Sequence, residues 1–153
     1  MDIRKLRQSF ACAFRGIVLC LRNERNFRIH ICAAFYASVL GIAAKFGALE
    51  FSVLFLCFAS VMATELLNTA VERVCDIMSA EYSVRIKAIK DISAGAVLVC
   101  AVFAFLTGAV LFLNKENFNH IISFLMQPAA LVLLLTVPAA VFFSIGKRRD
   151  KWI

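Results

Sequence analysis

Four polar side chains stand in an otherwise apolar neighbourhood. The run FSVLFLCFASVMA (51–63) leads into TELLNTAVERVCD (64–76), which carries Glu65, Asn68, Glu72 and Asp76. At about 100° per residue these four fall within roughly 80° of one another, so one helix face presents them all. A carboxylate facing lipid is costly, and acids inside membrane segments ordinarily face a bundle interior or a wet cavity. One acid in such a place fits a structural hydrogen bond; four polar groups at i, i+3, i+7 and i+11 fit a functional site. Glu65 and Glu72 are two turns apart, about 10 Å. That is too far to share one metal ion. It suits one carboxylate holding a hard cation while the other meets a second reactant. Glu65 is the deeper of the two, and Asp76 lies near the membrane edge. A water-soluble reactant could therefore arrive from one end of the stripe and a lipid from the other.

Other residues could join this chemistry. In KAIKD (87–91), Lys90 suits phosphate oxygens as a compact cation, and Asp91 could fix that lysine or meet Mg²⁺ through water. Lysines at a membrane edge also simply snorkel, and spacing alone does not separate the two readings. Glu24, in NERNFRIH (23–30), is a lone acid beside arginines, a pattern that usually means a surface ion pair. His30 and His120 are far apart in sequence and make a poor metal pair. The six cysteines show no C-x-x-C and no pairing pattern; most lie in apolar runs, where Cys behaves as a small hydrophobe. There is no G-x-x-x-x-G-K loop, so any nucleotide binding is not of the P-loop kind.

The elements that must position these groups are membrane helices. Of the 153 residues, 62% are hydrophobic, and mean hydropathy is +0.84; a soluble domain is nearer to half apolar. The apolar residues form runs: 29–44, then 51–63 extended by the stripe, then 92–113 and 121–146, the last two without a charge. We expect an all-α integral membrane protein with one interfacial N-terminal helix, three core spans and a fourth C-terminal span. The late start of the first run, behind a basic segment, argues against a cleavable signal peptide. Residues 3–24 place Ile3, Leu6, Phe10, Phe14, Ile17 and Leu21 on one arc, a basic amphipathic helix suited to the membrane interface.

With four spans and a cytoplasmic N-terminus, all but Lys45 and Lys115 of the 17 Lys and Arg fall on the cytoplasmic side, as the positive-inside rule requires. The net charge of +7 thus reports topology and anionic lipid rather than nucleic acid. KFGALE (45–50) and NKENFN (114–119) read as outer loops, and SAEYSVRIKAIKD (79–91) as a cytoplasmic connection entering the third span. We expect a core over 1–113 and an added segment with a basic cytoplasmic tail over 114–153.

ELLNTAVE (65–72), followed by Asp76, EY (81–82), KD (90–91) and AGAVLV (94–99), resembles the signature of the prokaryotic diacylglycerol kinase family. With NERNFRIH the match is similar to its undecaprenol kinase branch, typical of Gram-positive bacteria, and it covers about residues 5–113. The resemblance implies a small membrane lipid kinase in the bacterial cytoplasmic membrane, a homotrimer unrelated to soluble kinases, with ATP as co-substrate and Mg²⁺ as cofactor. It makes Glu65 the general base on the lipid hydroxyl and Glu24 and Glu72 the Mg²⁺ ligands beside the nucleotide. Glu81, Tyr82, Lys90 and Asp91 would contact the nucleotide, with Lys5 a weaker transfer. Asn68 would support the site on the substrate side, and Asp76 would be structural support. The family core ends near residue 113, so the fourth apolar segment is a departure from it. Residues 121–153 have no histidine and lack the arginine-plus-histidine set of a lipid phosphatase.

The function expected is phosphorylation of a membrane lipid alcohol, undecaprenol before diacylglycerol. Small residues (Ala59, Ala63, Ala94, Gly95 and Ala96) would admit a slender isoprenoid tail, though acyl chains could use the same surface. From a different class comes a proton- or cation-conducting bundle, which also uses stripes of acids. Its polar path should continue to the far side, where residues 51–63 offer only Ser52 and Ser60. A structural adaptor gives no account of Glu65.

Overall fold

The computed structural model describes residues 3–78 and 83–128, together with Ala130, Leu134, Thr136 and Ala139. The elements are α1 (Ile3–Asn23), α2 (Arg25–Ala43), α3 (Ala48–Met78), α4 (Val84–Phe112) and α5 (Lys115–Leu125), and no strand occurs among the described residues. Among the described residues three helices are long and apolar enough to cross a membrane: α2, α3 and α4, with 19, 31 and 29 residues. Their outer faces carry exposed Phe55, Leu56, Leu67, Phe103, Phe105 and Leu106. In water such surfaces would drive aggregation; against acyl chains they cost nothing.

About 20 residues span a bilayer core of some 30 Å. At 1.5 Å per residue α3 reaches roughly 46 Å, so it runs past the apolar layer while keeping its backbone hydrogen bonds. That overshoot carries the polar stripe from apolar depth to the membrane surface on one rigid element.

The turn between α2 and α3 shows why the chain reverses there. Phe46 N–H donates to the Gly41 carbonyl and Lys45 N–H to that of Ile42, both at 3.0 Å. This is a Schellman closure, and Lys45 takes the left-handed position usually held by glycine, with φ 59°. A Cβ on Gly41 would lie 3.0 Å from a Phe46 ring atom and 3.3 Å from a Phe51 ring atom, so the bare backbone lets the rings close over the turn. Glu50 then accepts from Gly47 N–H at 3.0 Å, the returning half of a capping box at the start of α3. Phe46 stacks on Phe112 at 4.9 Å between centroids, bringing the end of α4 to the same place. The outer reversal expected at 45–50 is therefore a tight turn followed at once by helix.

Helix α1 spans the segment expected to be amphipathic, and Ile3, Leu6, Phe10, Phe14 and Ile17 are exposed along it. Its last turns lie along α3, where Cys20 is buried with Thr69 as its side-chain hydrogen-bond partner. The reading of 114–119 as a loop is corrected. Asn114 caps α5 by accepting from Glu116 N–H, and 115–119 are already helical. The apolar segment 121–146 is interrupted at Met126–Gln127, just before Pro128, which disfavours helical backbone in the residue preceding it. Most of the expected fourth span and its basic tail lie outside the described residues.

Candidate active site

The stripe predicted on α3 faces α2 and α4 at the end of the bundle opposite the aromatic turn. A cleft of about 330 Å³ is lined there by Glu65, Asn68 and Glu72 from α3, by Asn26, Ile29 and His30 from α2, and by Ala94, Val97, Leu98 and Ala101 from α4. Glu65 is 3% exposed, the most deeply placed charged residue in the core. It shares the cleft with Glu72, two turns further along the same face of α3.

Asn68, Glu72 and Asp76 are each held by a neighbour from another turn or another helix. Asn68 Nδ2 donates to Glu72 Oε1 at 2.9 Å, and Asn68 Oδ1 accepts from Ser93 Oγ at 2.5 Å. A carboxylate can only accept, so Glu72 fixes which end of the amide faces it, and the other end must take the serine proton. Ser93 Oγ also lies 3.0 Å from the Lys90 carbonyl. Asn68 thereby aims Glu72 and ties α3 to α4. Lys90 Nζ lies 2.5 Å from Asp76 Oδ1. The expectation that Asp91 fixes this lysine is corrected: Asp91 is exposed, and the partner comes from the end of α3.

Glu24 sits at the break between α1 and α2 in extended backbone, and its carboxylate does not cap α2. It accepts from Arg73 Nη2 at 2.9 Å, across 49 positions of chain. The ion pair expected of Glu24 exists, but with a distant arginine on α3. Lys5 is exposed near the start of α1, roughly 27 Å along the helix from its last residue, and no hydrogen bond or ion pair among the described residues joins it to the cleft. Glu81 and Tyr82 lie outside the described residues.

The lining for a lipid tail differs from expectation. Ala94 lines the cleft, but Ala59, Ala63 and Ala96 are exposed on other faces. Ala94, Gly95 and Ala96 are each turned about 100° from the next and cannot share one face. Instead, a second cavity of about 500 Å³ adjoins the cleft, sharing His30 and Ala101 with it. It is lined by Ala33 and Ala37 of α2, by Leu54, Cys57 and Val61 of α3, and by Ala104 and Gly108 of α4, among others. Sequence reasoning gave His30, Ser93, Ala101 and Arg73 no part in the site. His30 was legible only as the continuation of the Asn26 face one turn along α2; the others had no local signal.

The donor set suits a hard cation. Glu24 and Glu72 offer only oxygen, and Mg²⁺ is ordinarily held by one or two carboxylates with phosphate oxygens and water completing its shell. Among the described residues no three His, Cys, Asp or Glu converge as an all-protein metal cage.

The model of the prokaryotic diacylglycerol kinase family matches residues 11–112, a stretch holding the cleft and every contact just described. The chain belongs to the prokaryotic diacylglycerol kinase family. It is 36% identical over 114 residues to the undecaprenol kinase of Bacillus subtilis, covering 74% of this chain and 93% of that one. It is 37% identical over 106 residues to the diacylglycerol kinase of a Synechocystis species, covering 69% of this chain and 61% of that relative. No solved structure matches it. Family membership and three apolar helices of spanning length make this an integral membrane protein. Residues 113–153, including the interrupted apolar segment, lie beyond the family match.

Proposed function

We propose that the protein phosphorylates a membrane lipid alcohol with ATP, and that undecaprenol is a better acceptor than diacylglycerol. The observation that carries this is Glu65, a buried carboxyl placed where a polar cleft opens into an apolar cavity. From Met62 to Leu54 the cavity follows α3 for about 12 Å, one way in for a tail whose hydroxyl ends at the acid of the adjoining cleft. The preference for a polyprenol rests on the kinship with the Bacillus enzyme and on a lining rich in small residues.

In the reaction the lipid hydroxyl oxygen forms a bond to the γ-phosphorus of ATP, the bond to the β,γ-bridging oxygen breaks, and ADP leaves. Glu65 receives the hydroxyl proton and aligns the oxygen for in-line attack. Glu24 and Glu72 would hold Mg²⁺, which would supply charge neutralisation on the phosphates. Asn68 keeps Glu72 aimed. Lys90, carried by Asp76 at the mouth, meets phosphate, while Glu81, Tyr82 and Asp91 complete the nucleotide side. We place this end of the bundle at the cytoplasmic face of the cell membrane, with both termini cytoplasmic and α1 in the interface. The assembly is a homotrimer with a fourth span per subunit.

A conducting bundle accords less well with the apolar cavity that follows Glu65 toward the turn end. The deciding experiment presents the purified protein with labelled ATP and matched mixed micelles of undecaprenol, diacylglycerol and shorter prenols. Transfer to undecaprenol at the highest kcat/KM is expected. A tenfold preference for diacylglycerol overturns the acceptor, and no transfer to any lipid overturns the kinase.

A further inference from the structure

The Glu24–Arg73 pair is more than a tie between helices. Glu24 begins α2 yet leaves that helix uncapped, spending its carboxylate on a guanidinium from α3 at 2.9 Å. The pair is partly open to solvent, with the arginine and glutamate side chains 40% and 23% exposed, so it is exchangeable rather than locked. Arg73 follows Glu72 directly and lies about 80° round the helix from Glu65, flanking the stripe without joining it. Its side chain borders the groove between α1 and α3, together with Cys20 and Thr69. Glu65 and Glu72 line the cleft, and Glu24 lies outside that lining, its Oε1 accepting from the Arg73 guanidinium.

We infer that Arg73 is a built-in counter-cation for Glu24, which a divalent cation must displace when the site fills, and that the released guanidinium then serves as an anchor for the nucleotide's phosphates. The inference rests on the kinase reading of this cleft and names a residue which that reading leaves without a role. Its logic is electrostatic. A carboxylate kept for a cation is unfavourable without a positive neighbour, and a guanidinium is a permanent, well-matched one. Arg73 takes one oxygen of Glu24 and offsets its charge, so cation entry competes with the pair. Turned from Glu24, the fork of N–H donors beside Glu72 matches phosphate oxygens in the way it matched the carboxylate.

The exchange predicts opposite signs for two measurements. In Arg73→Ala, Mn²⁺ binding followed by electron paramagnetic resonance without nucleotide should tighten by about threefold, because a competitor of ordinary surface-pair strength is gone. The KM for ATP at saturating Mg²⁺ should rise several-fold. Arg73→Lys, which keeps the charge, should leave Mn²⁺ affinity near that of the parent. Arg73→Ala in a Glu24→Gln background should no longer change Mn²⁺ binding. A mere strut predicts the reverse: loosening Glu24 would weaken Mn²⁺ binding in Arg73→Ala, and that result, or no change, overturns the inference. Arg73→Gln keeps a hydrogen bond to Glu24 without the charge and covers a poorly folding alanine variant; failure of both to fold makes the pair structural and also overturns the exchange. Lipid phosphorylation by the parent protein is scored separately, so loss of the exchange with activity intact leaves the kinase standing.

Discussion

The two ends of the α2–α3–α4 bundle are closed by opposite means. At the turn end, Phe46, Phe51, Phe55 and Phe112 lie ring on ring over a Schellman closure, with centroids 4.9 to 5.9 Å apart. Each aromatic pair contributes about 0.5–1.5 kcal/mol beyond its buried area and none of it depends on solutes. At the acid end the helices are joined by Asn68–Ser93, Lys90–Asp76 and Glu24–Arg73, polar contacts that ligands can replace. One end is a permanent seal and the other a set of exchangeable clasps. Chemistry belongs at the clasped end, because a site that binds charged reactants must surrender its own pairs.

The sharpest way to break this comparison is at Glu65. Glu65→Gln should lower kcat by about a thousandfold, as expected for loss of a general base, while binding of a fluorescent ATP analogue stays within twofold. Glu72→Gln should instead raise the Mg²⁺ concentration needed for half-maximal rate. Equal losses of nucleotide affinity in both variants would remove the division of labour.

Next in size is the junction between the cavities. Ala101→Leu should reduce kcat/KM for undecaprenol by about tenfold and leave the KM for ATP unchanged, since the added atoms enter the shared wall of cleft and cavity. Matching losses for both substrates in steady-state kinetics would show that the tail runs elsewhere.

A smaller effect concerns the seam between α1 and α3. Burial pushes the Cys20 thiol up, partly offset by its bond to Thr69, whereas Cys12 is exposed on the same helix. A raised thiol carries less thiolate at neutral pH, and thiolate is the species that alkylates. Iodoacetamide at pH 7.5, read by mass spectrometry, should modify Cys12 first, with Cys20 gaining only as pH rises. Equal rates at neutral pH would mean that the α1 seam opens readily.

The least effect lies at the sealed end. Lys45 bears a left-handed backbone without being glycine, at a cost of about 1 kcal/mol. Lys45→Gly should raise the thermal midpoint in detergent by a few degrees and leave kinetics untouched. A change in the KM for ATP would show that the two ends are coupled.

Three spans and the stripe were legible because helical period and apolar length are local properties, whereas the lipid kinase reading came from the resemblance carried by ELLNTAVE and the motifs after it. Glu65, Asn68 and Glu72 needed only the 100° step to fall on one face. What stayed hidden was set by contacts between elements. Glu24 sits among arginines, yet the bond shown is to Arg73, and Lys90 finds Asp76 on the preceding helix in preference to its neighbour Asp91. Ser93 has no sequence signal at all; it matters because α3 and α4 run antiparallel and bring it opposite Asn68. The small-residue face failed for a local reason, since three consecutive alanine and glycine positions point three ways. The break before Pro128 could have been foreseen from the proline alone.

Helix α3 joins the aromatic turn to the acid cleft with no break in its 31 residues. It therefore behaves as a depth gauge. With the aromatic turn as its seat in the membrane, the height of Glu65 is fixed at about 25 Å by helical rise from Ala48. A bilayer thicker by about 3 Å should shift the acid by the equivalent of two residues relative to the headgroup plane, where a lipid hydroxyl resides. Acyl-chain length should therefore alter the rate of such an enzyme without touching the active site.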